Sequence, residues 1–132
     1  MIVAVDSSVL LAIFKGETKA EAWFDLLARH RRRGRLIACE VVVAEVSARF
    51  PDEESFRDAL ENLGVEFVAI ELPAALLAGR LFTAYRREGG PREHLVPDFL
   101  VGAHAALQAG SLAAVDRGYL RRYFDGLKLL AV

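Results

Sequence analysis

The sequence predicts an α/β domain: a short parallel sheet of four or five strands with helices on both faces. Short apolar, β-branched runs alternate with segments of helical periodicity along the 132 residues. The strand candidates are apolar at successive positions, as strands covered on both faces must be. Apolar residues make up 54% of the chain, enough to supply a core and to exclude wholesale disorder.

Ile2–Val5 is the first strand and stops at Asp6-Ser7-Ser8, after which Val9–Phe14 reads as a short helix broken by Gly16. Thr18-x-x-Glu21 has the form of a capping box for the next helix. There Ala20, Trp23, Phe24, Leu27 and Ala28 recur at helical spacing until Gly34. Leu36–Ala38 is the second strand and runs into a helix over Glu40–Phe50, which ends near Pro51. Asp52–Leu63 is helical, with Phe56, Ala59, Leu60 and Leu63 on one face and Gly64 as its stop. Val65–Ile70 is the third strand. Pro73 starts a long helix to about Arg87, with Leu77, Leu81 and Tyr85 every four residues, and Gly89-Gly90-Pro91 marks a loop. Pro97–Ala109 is the next helix, Leu112–Val115 the fourth strand, Arg117–Tyr123 a short helix and Leu127–Ala131 the fifth strand. No repeat or linker divides the chain, so residues 1–132 read as one domain.

Charge and cysteine usage narrow the function classes. Lys plus Arg number 17 and Asp plus Glu 18, a net charge of −1 that argues against a uniformly basic nucleic-acid binder. A lone Cys39 excludes an internal disulfide framework and a Cys-rich zinc site, and fits a reducing cytoplasm. The longest fully apolar run, Val9–Phe14, is far short of a membrane span. Met1–Asp6 lacks the basic start of a secretion signal. A cytoplasmic protein is therefore expected.

Ligand sites of parallel sheets form beyond the carboxyl ends of the strands. Asp6 follows the first strand and Asp116 the fourth, so both fall at that edge. Asp98 follows Pro97 at a helix start, and Glu45 interrupts the apolar Val41-Val42-Val43-Ala44-Glu45-Val46. Taken singly, each Asp is an ordinary helix cap, and Glu45 a salt-bridge partner or a side chain reaching the rim. Brought together, the four carboxylates would repel one another and raise some pKa values unless a cation neutralised them. An all-oxygen donor set suits Mg²⁺ or Mn²⁺ rather than Zn²⁺. Such ions act on phosphate groups, so a phosphodiester is the natural substrate and a metal-dependent nuclease the leading chemistry.

The ordered set Asp6-Ser7-Ser8-Val9-Leu10-Leu11, Glu45 in its Val-rich helix, Pro97-Asp98-Phe99-Leu100-Val101-Gly102-Ala103-His104-Ala105 and Leu112-Ala113-Ala114-Val115-Asp116-Arg117-Gly118-Tyr119 resembles a PIN domain. More narrowly, it resembles the small VapC-type toxins of toxin–antitoxin pairs, over nearly the whole chain. The resemblance implies a Rossmann-like sheet, an acidic pocket holding Mg²⁺ or Mn²⁺, and endoribonuclease activity on RNA. It implies Asp6, Glu45, Asp98 and Asp116 as the catalytic metal ligands, and Ser8 as a polar group orienting a metal-bound water. A small cognate antitoxin and a homodimer are the implied partners, with no membrane. One departure stands out: the family usually has Thr or Ser two residues before the last Asp, and here Ala114 occupies that place. A PIN-like module that has lost catalysis and binds RNA or protein is the competing expectation.

Arg accounts for 14 of the 17 basic residues. Arg29-His30-Arg31-Arg32-Arg33-x-Arg35 reads as a solvated helix end, whereas Arg117, Arg121 and Arg122 lie nearer the pocket and are the better candidates to guide a phosphate backbone. Arg86, Arg87 and Arg92 flank the Gly-rich loop. His104 is expected to pack and His94 to approach the pocket from a loop. The stripe Ala74, Leu77, Ala78, Leu81, Phe82 and Tyr85 suits either the sheet or a dimer surface.

Overall fold

A computed structural model describes residues 1–91, 94–115 and 118–132. Asp116, Arg117 and Arg92 lie outside the described residues. The elements run β1 (Ile2–Val5), α1 (Ser7–Phe14), α2 (Ala20–Arg33), β2 (Arg35–Ala38), α3 (Glu40–Ser47), α4 (Glu53–Leu63), β3 (Val65–Phe67), α5 (Leu72–Arg87), α6 (Val96–Gln108), β4 (Gly110–Ala113), α7 (Gly118–Tyr123) and β5 (Lys128–Leu130).

All five strands are parallel, in the order β3-β2-β1-β4-β5. Val3, Ala4 and Val5 on β1, Leu36, Ile37 and Ala38 on β2, and Leu112 and Ala113 on β4 are all buried. Burial at consecutive positions means that both faces are covered. The chain builds outward from β1 to β3, then returns to place β4 beside β1. Its direction therefore reverses between β1 and β4, and a crevice opens beyond their carboxyl ends.

Several boundaries depart from the sequence reading for identifiable reasons. Helix α4 starts one residue later than expected because Asp52 is its N-cap, accepting from Ser55 N at 2.7 Å, and Gly64 ends it as expected with a positive φ of 75°. The capping box at Thr18 does not form: Lys19 is the N-cap of α2 and makes no side-chain cap bond. Helix α3 stops at Ser47, and Phe50 then packs edge-on between Phe14 and Phe56, tying α1 to α4. Strand β3 ends at Phe67 because side chains take over its backbone. Glu40 Oε1 accepts from Ile70 N at 2.9 Å, His104 Nε2 donates to Val68 O at 2.9 Å, and Gln108 bridges Ala69 O and Glu71 N. A carbonyl can only accept, so His104 carries its proton on Nε2. His104 is thus a packed, buried residue, as expected. Strand β4 starts at Gly110 and ends at Ala113, two residues earlier at each end than the apolar run suggests.

The helical stripe of α5 is absorbed largely by the fold. Ala74, Ala78 and Tyr85 are buried, and α5 packs on α6. Phe99, fully buried on α6, has ring neighbours in Phe82 and Tyr85 of α5, Tyr119 and Tyr123 of α7, and Phe124. This cluster fixes the start of α6, where Asp98 sits, against α7. Among the described residues no helix is long and apolar enough to cross a membrane.

Candidate functional site

Asp6 sits at the reversal point of the sheet. Its backbone N donates to Ala113 O at 2.9 Å, extending the β1–β4 ladder by one rung. The extended backbone of Asp6 (φ −76°, ψ 153°) makes it the N-cap of α1. Its Oδ2 accepts from Ser8 N at 3.2 Å and from the Ser8 hydroxyl. Ser8 Oγ in turn accepts from Val115 N at 3.1 Å. The hydroxyl therefore relays a bond from the end of β4 to the carboxylate at the end of β1. Ala114, with no hydroxyl to offer, is buried beside this relay.

Glu45 reaches the same region from α3. It is exposed at the rim rather than sunk among its valine neighbours, and Ser7 Oγ donates to its Oε1 at 3.1 Å. Asp98 is the third residue of α6, and its Oδ2 accepts from Leu95 N at 2.8 Å, closing the first turn. His94 Nδ1 lies 3.9 Å from the same oxygen. Capping occupies part of both Asp6 and Asp98, but a carboxylate carries lone pairs on two oxygens, so capping and coordination are compatible.

The charges report their proximity. Burial lifts the Asp6 carboxyl above its ordinary 3.8, the Ser8 bonds oppose the rise, and the Asp98 charge adds to it. Partial loss of water around the rim-exposed Glu45 lifts it above 4.5, against the Ser7 bond, and the charges of Asp6 and Asp98 push it further. Three carboxylates from three separate elements thus share one field. Among the described residues, His94 is the one basic side chain within ion-pair distance of them. Among the same residues, no three of His, Cys, Asp and Glu close around a single point as a ready-made cation site. The donor set is all oxygen and anionic, as a hard divalent cation requires. Holding such an ion calls for a further ligand or a small inward movement of the carboxylates.

Other basic candidates divide by position. Arg35 pairs with Ile2 at the amino edge of the sheet, so the Arg29–Arg35 run lies at the edge opposite Asp6. There Arg35 binds Glu66 at 2.7 Å, and Arg31 donates to Asn62 O at 3.4 Å. Arg121 is exposed on α7, and Arg122 donates to Glu88 at 2.7 Å. Sequence reasoning missed Ser7 as the partner of Glu45, for the two are 38 residues apart. It also missed Tyr119, whose ring stacks on His94 at 4.0 Å and whose hydroxyl approaches Asp98 O. Its place three residues after Asp116 in the sequence was the available signal.

Residues 3–125 match the family model described as PIN domain. The chain belongs to the PIN domain family. Solved structures of the same fold include three toxin-system proteins. VapBC2 from Rickettsia felis, bound to a fragment of its promoter DNA, has a TM-score of 0.75 at 18% identity and 98% coverage of both chains. VapBC-1 from nontypeable Haemophilus influenzae has a TM-score of 0.74 at 18% identity, over 98% of this chain and 97% of that one. VapC20 from Mycobacterium tuberculosis, a toxin that cleaves the sarcin–ricin loop, has a TM-score of 0.66 at 16% identity, over 91% and 94%. No curated protein sequence matches the chain. At these identities the structural likeness speaks for the fold, and PIN domains are typically nucleases that use divalent metal.

Proposed function

We propose that this PIN domain is a Mg²⁺- or Mn²⁺-dependent endoribonuclease that hydrolyses RNA phosphodiester bonds, and that it is the toxin of a toxin–antitoxin pair. The observation that carries this reading is the shared field of Asp6, Glu45 and Asp98 at the β1–β4 reversal. Like charges held together at a cost to their ionisation have a use when a cation binds among them. Asp6, Glu45, Asp98 and Asp116 would hold the ion. When bound, it would supply an activated water and charge neutralisation at the scissile phosphate.

The chain's own residues set the geometry. Ser8 fixes the Asp6 carboxylate by donating to Oδ2 while Val115 N fixes Ser8. Ser7 steadies the flexible Glu45 side chain. The Leu95 amide holds Asp98 in one rotamer, and the Phe99 cluster holds the helix that carries it. Arg117, Arg121 and Arg122 would attract the RNA strand. In keeping with the toxin complexes of similar fold, we infer a small antitoxin as partner and a homodimer as the active form. That no three ligands among the described residues are already closed around one point favours a second reading, a PIN module that binds RNA or protein without cutting.

Metal-dependent cleavage separates the two. The purified chain, freed of any inhibitor, is incubated with total cellular RNA and Mn²⁺ or Mg²⁺. Discrete new RNA ends that vanish with chelator support the enzyme; bound but intact RNA supports the module.

A further inference from the structure

A cleft of about 520 Å³ opens between the end of α5, the Gly89-Gly90-Pro91 loop, His94 and α7. Tyr85, Tyr119, Tyr123, His94, Glu88 and Arg122 line it. His94 belongs both to this cleft and to the acidic site, since its Nδ1 is 3.9 Å from Asp98 Oδ2 and its ring stacks on Tyr119. The cleft therefore begins where the acidic site ends. Its volume is in the range that takes a small planar ligand.

Its lining has the chemistry of a base-reading site. Single-stranded RNA is read by stacking bases on aromatic rings and by hydrogen bonds to their exposed edges. Tyr119 and Tyr123 of α7, both half-buried, and the His94 imidazole supply the rings, while the buried Tyr85 closes the floor. At the rim, Arg122 Nη2 and Tyr123 Oη both donate to Glu88 Oε2, at 2.7 and 2.6 Å. These two bonds fix a carboxylate and a guanidinium side by side. Guanine matches that pair, offering N–H donors at N1 and N2 to a carboxylate and acceptors at O6 and N7 to a guanidinium. The other three bases offer only one such donor group.

We propose that this cleft binds a guanine base of the RNA strand next to the scissile phosphodiester, and so sets cleavage specificity; the inference rests on the nuclease reading above. In this account Arg122 reads a base rather than the backbone. Tyr119 and Glu88 act as specificity-determining residues.

Two measurements on the full chain test it. In chelator, the 5′-monophosphates of guanosine, adenosine, cytidine and uridine are titrated into the protein, following the amide signals of Gly89, Gly90 and Gly118. Guanosine monophosphate should bind at least about fivefold tighter than the others, a margin lost in Tyr119→Ala and kept in Tyr119→Phe. With Mn²⁺, a randomised single-stranded RNA pool is cleaved and its new ends sequenced. Guanine should be enriched at one position flanking the cut, and Glu88→Gln should reduce that enrichment by at least about fivefold. Equal affinity for the four nucleotides, or unchanged enrichment in Glu88→Gln and Tyr119→Ala, would overturn the base site while leaving the nuclease intact. Guanosine monophosphate binding without any RNA cleavage would overturn the nuclease reading and the placement beside a scissile bond.

Discussion

Gly102 lies on the helix that carries Asp98, at the point where Phe124 crosses it. A Cβ at this position would sit 2.4 Å from Phe124 Cε2 and 2.6 Å from Cζ. Carbon atoms in contact are about 3.5–4.0 Å apart, so the ring or the helix must shift by about 1 Å. Phe124 is 4% exposed and packs on Phe99, so the ring has little room to yield. Overpacking of this kind costs about 1–3 kcal/mol. It is opposed by the preference of a helix interior for Ala over Gly, about 1 kcal/mol. Gly102→Ala should therefore destabilise the chain by a net of about 0–2 kcal/mol, read as a lower urea midpoint at unchanged slope. Phe124→Leu removes Cε2 and Cζ, the two closest atoms. In that background the same substitution should become neutral or stabilising, by up to about 1 kcal/mol. A double-mutant cycle should thus give a coupling of about 2 kcal/mol. If Gly102→Ala stabilises the wild type, or has the same effect in both backgrounds, the packing argument is wrong.

Further outcomes follow from the site. Asp6 and Glu45 have raised carboxyls in the fold, so each contributes stability that is present below its ordinary value, 3.8 or 4.5, and is lost as pH rises through the folded value. Asp6→Asn keeps a capping oxygen and drops the charge, so in chelator it should melt at or above wild type at pH 8, by calorimetry. Mn²⁺ at a hundred times its dissociation constant should stabilise wild type by about 2.7 kcal/mol and Asp6→Asn hardly at all. Ser8→Ala removes the relay to Val115 and should cost about 1 kcal/mol by denaturant unfolding, with a larger fractional loss of cleavage rate. His104 is held below its ordinary 6.5 by burial, against the Val68 bond, so its contribution is complete above 6.5 and is lost as pH falls through the folded value. Its ring signals should accordingly stay those of the neutral imidazole on titration from pH 8 to 6.5 by NMR.

The fold was largely legible because parallel strands covered on both faces leave continuous apolar runs, and Asp6 and Asp98 mark helix starts. Strand ends were less legible. The third strand stops at Phe67 although its apolar run continues, since Glu40, His104 and Gln108 capture the following backbone from distant helices. The same limit applies at the site. Asp6 and Asp98 could be picked out by their position after a strand or Pro97, but the Ser7–Glu45 bond and the cleft of Tyr119, Tyr123 and Glu88 exist only through tertiary contact. The near-zero net charge likewise hid a segregation, with an acidic cluster at one edge of the sheet and the Arg29–Arg35 run at the other.

Cleavage of a single-stranded RNA pool by the purified chain, with Mn²⁺ or with chelator and alongside Asp98→Asn, tests the central claim most directly. The account predicts new RNA ends with wild type and Mn²⁺ alone, and none with chelator or with Asp98→Asn, although that variant retains a cooperative melting transition. Cleavage that persists in chelator, or that Asp98→Asn leaves unchanged, would contradict it.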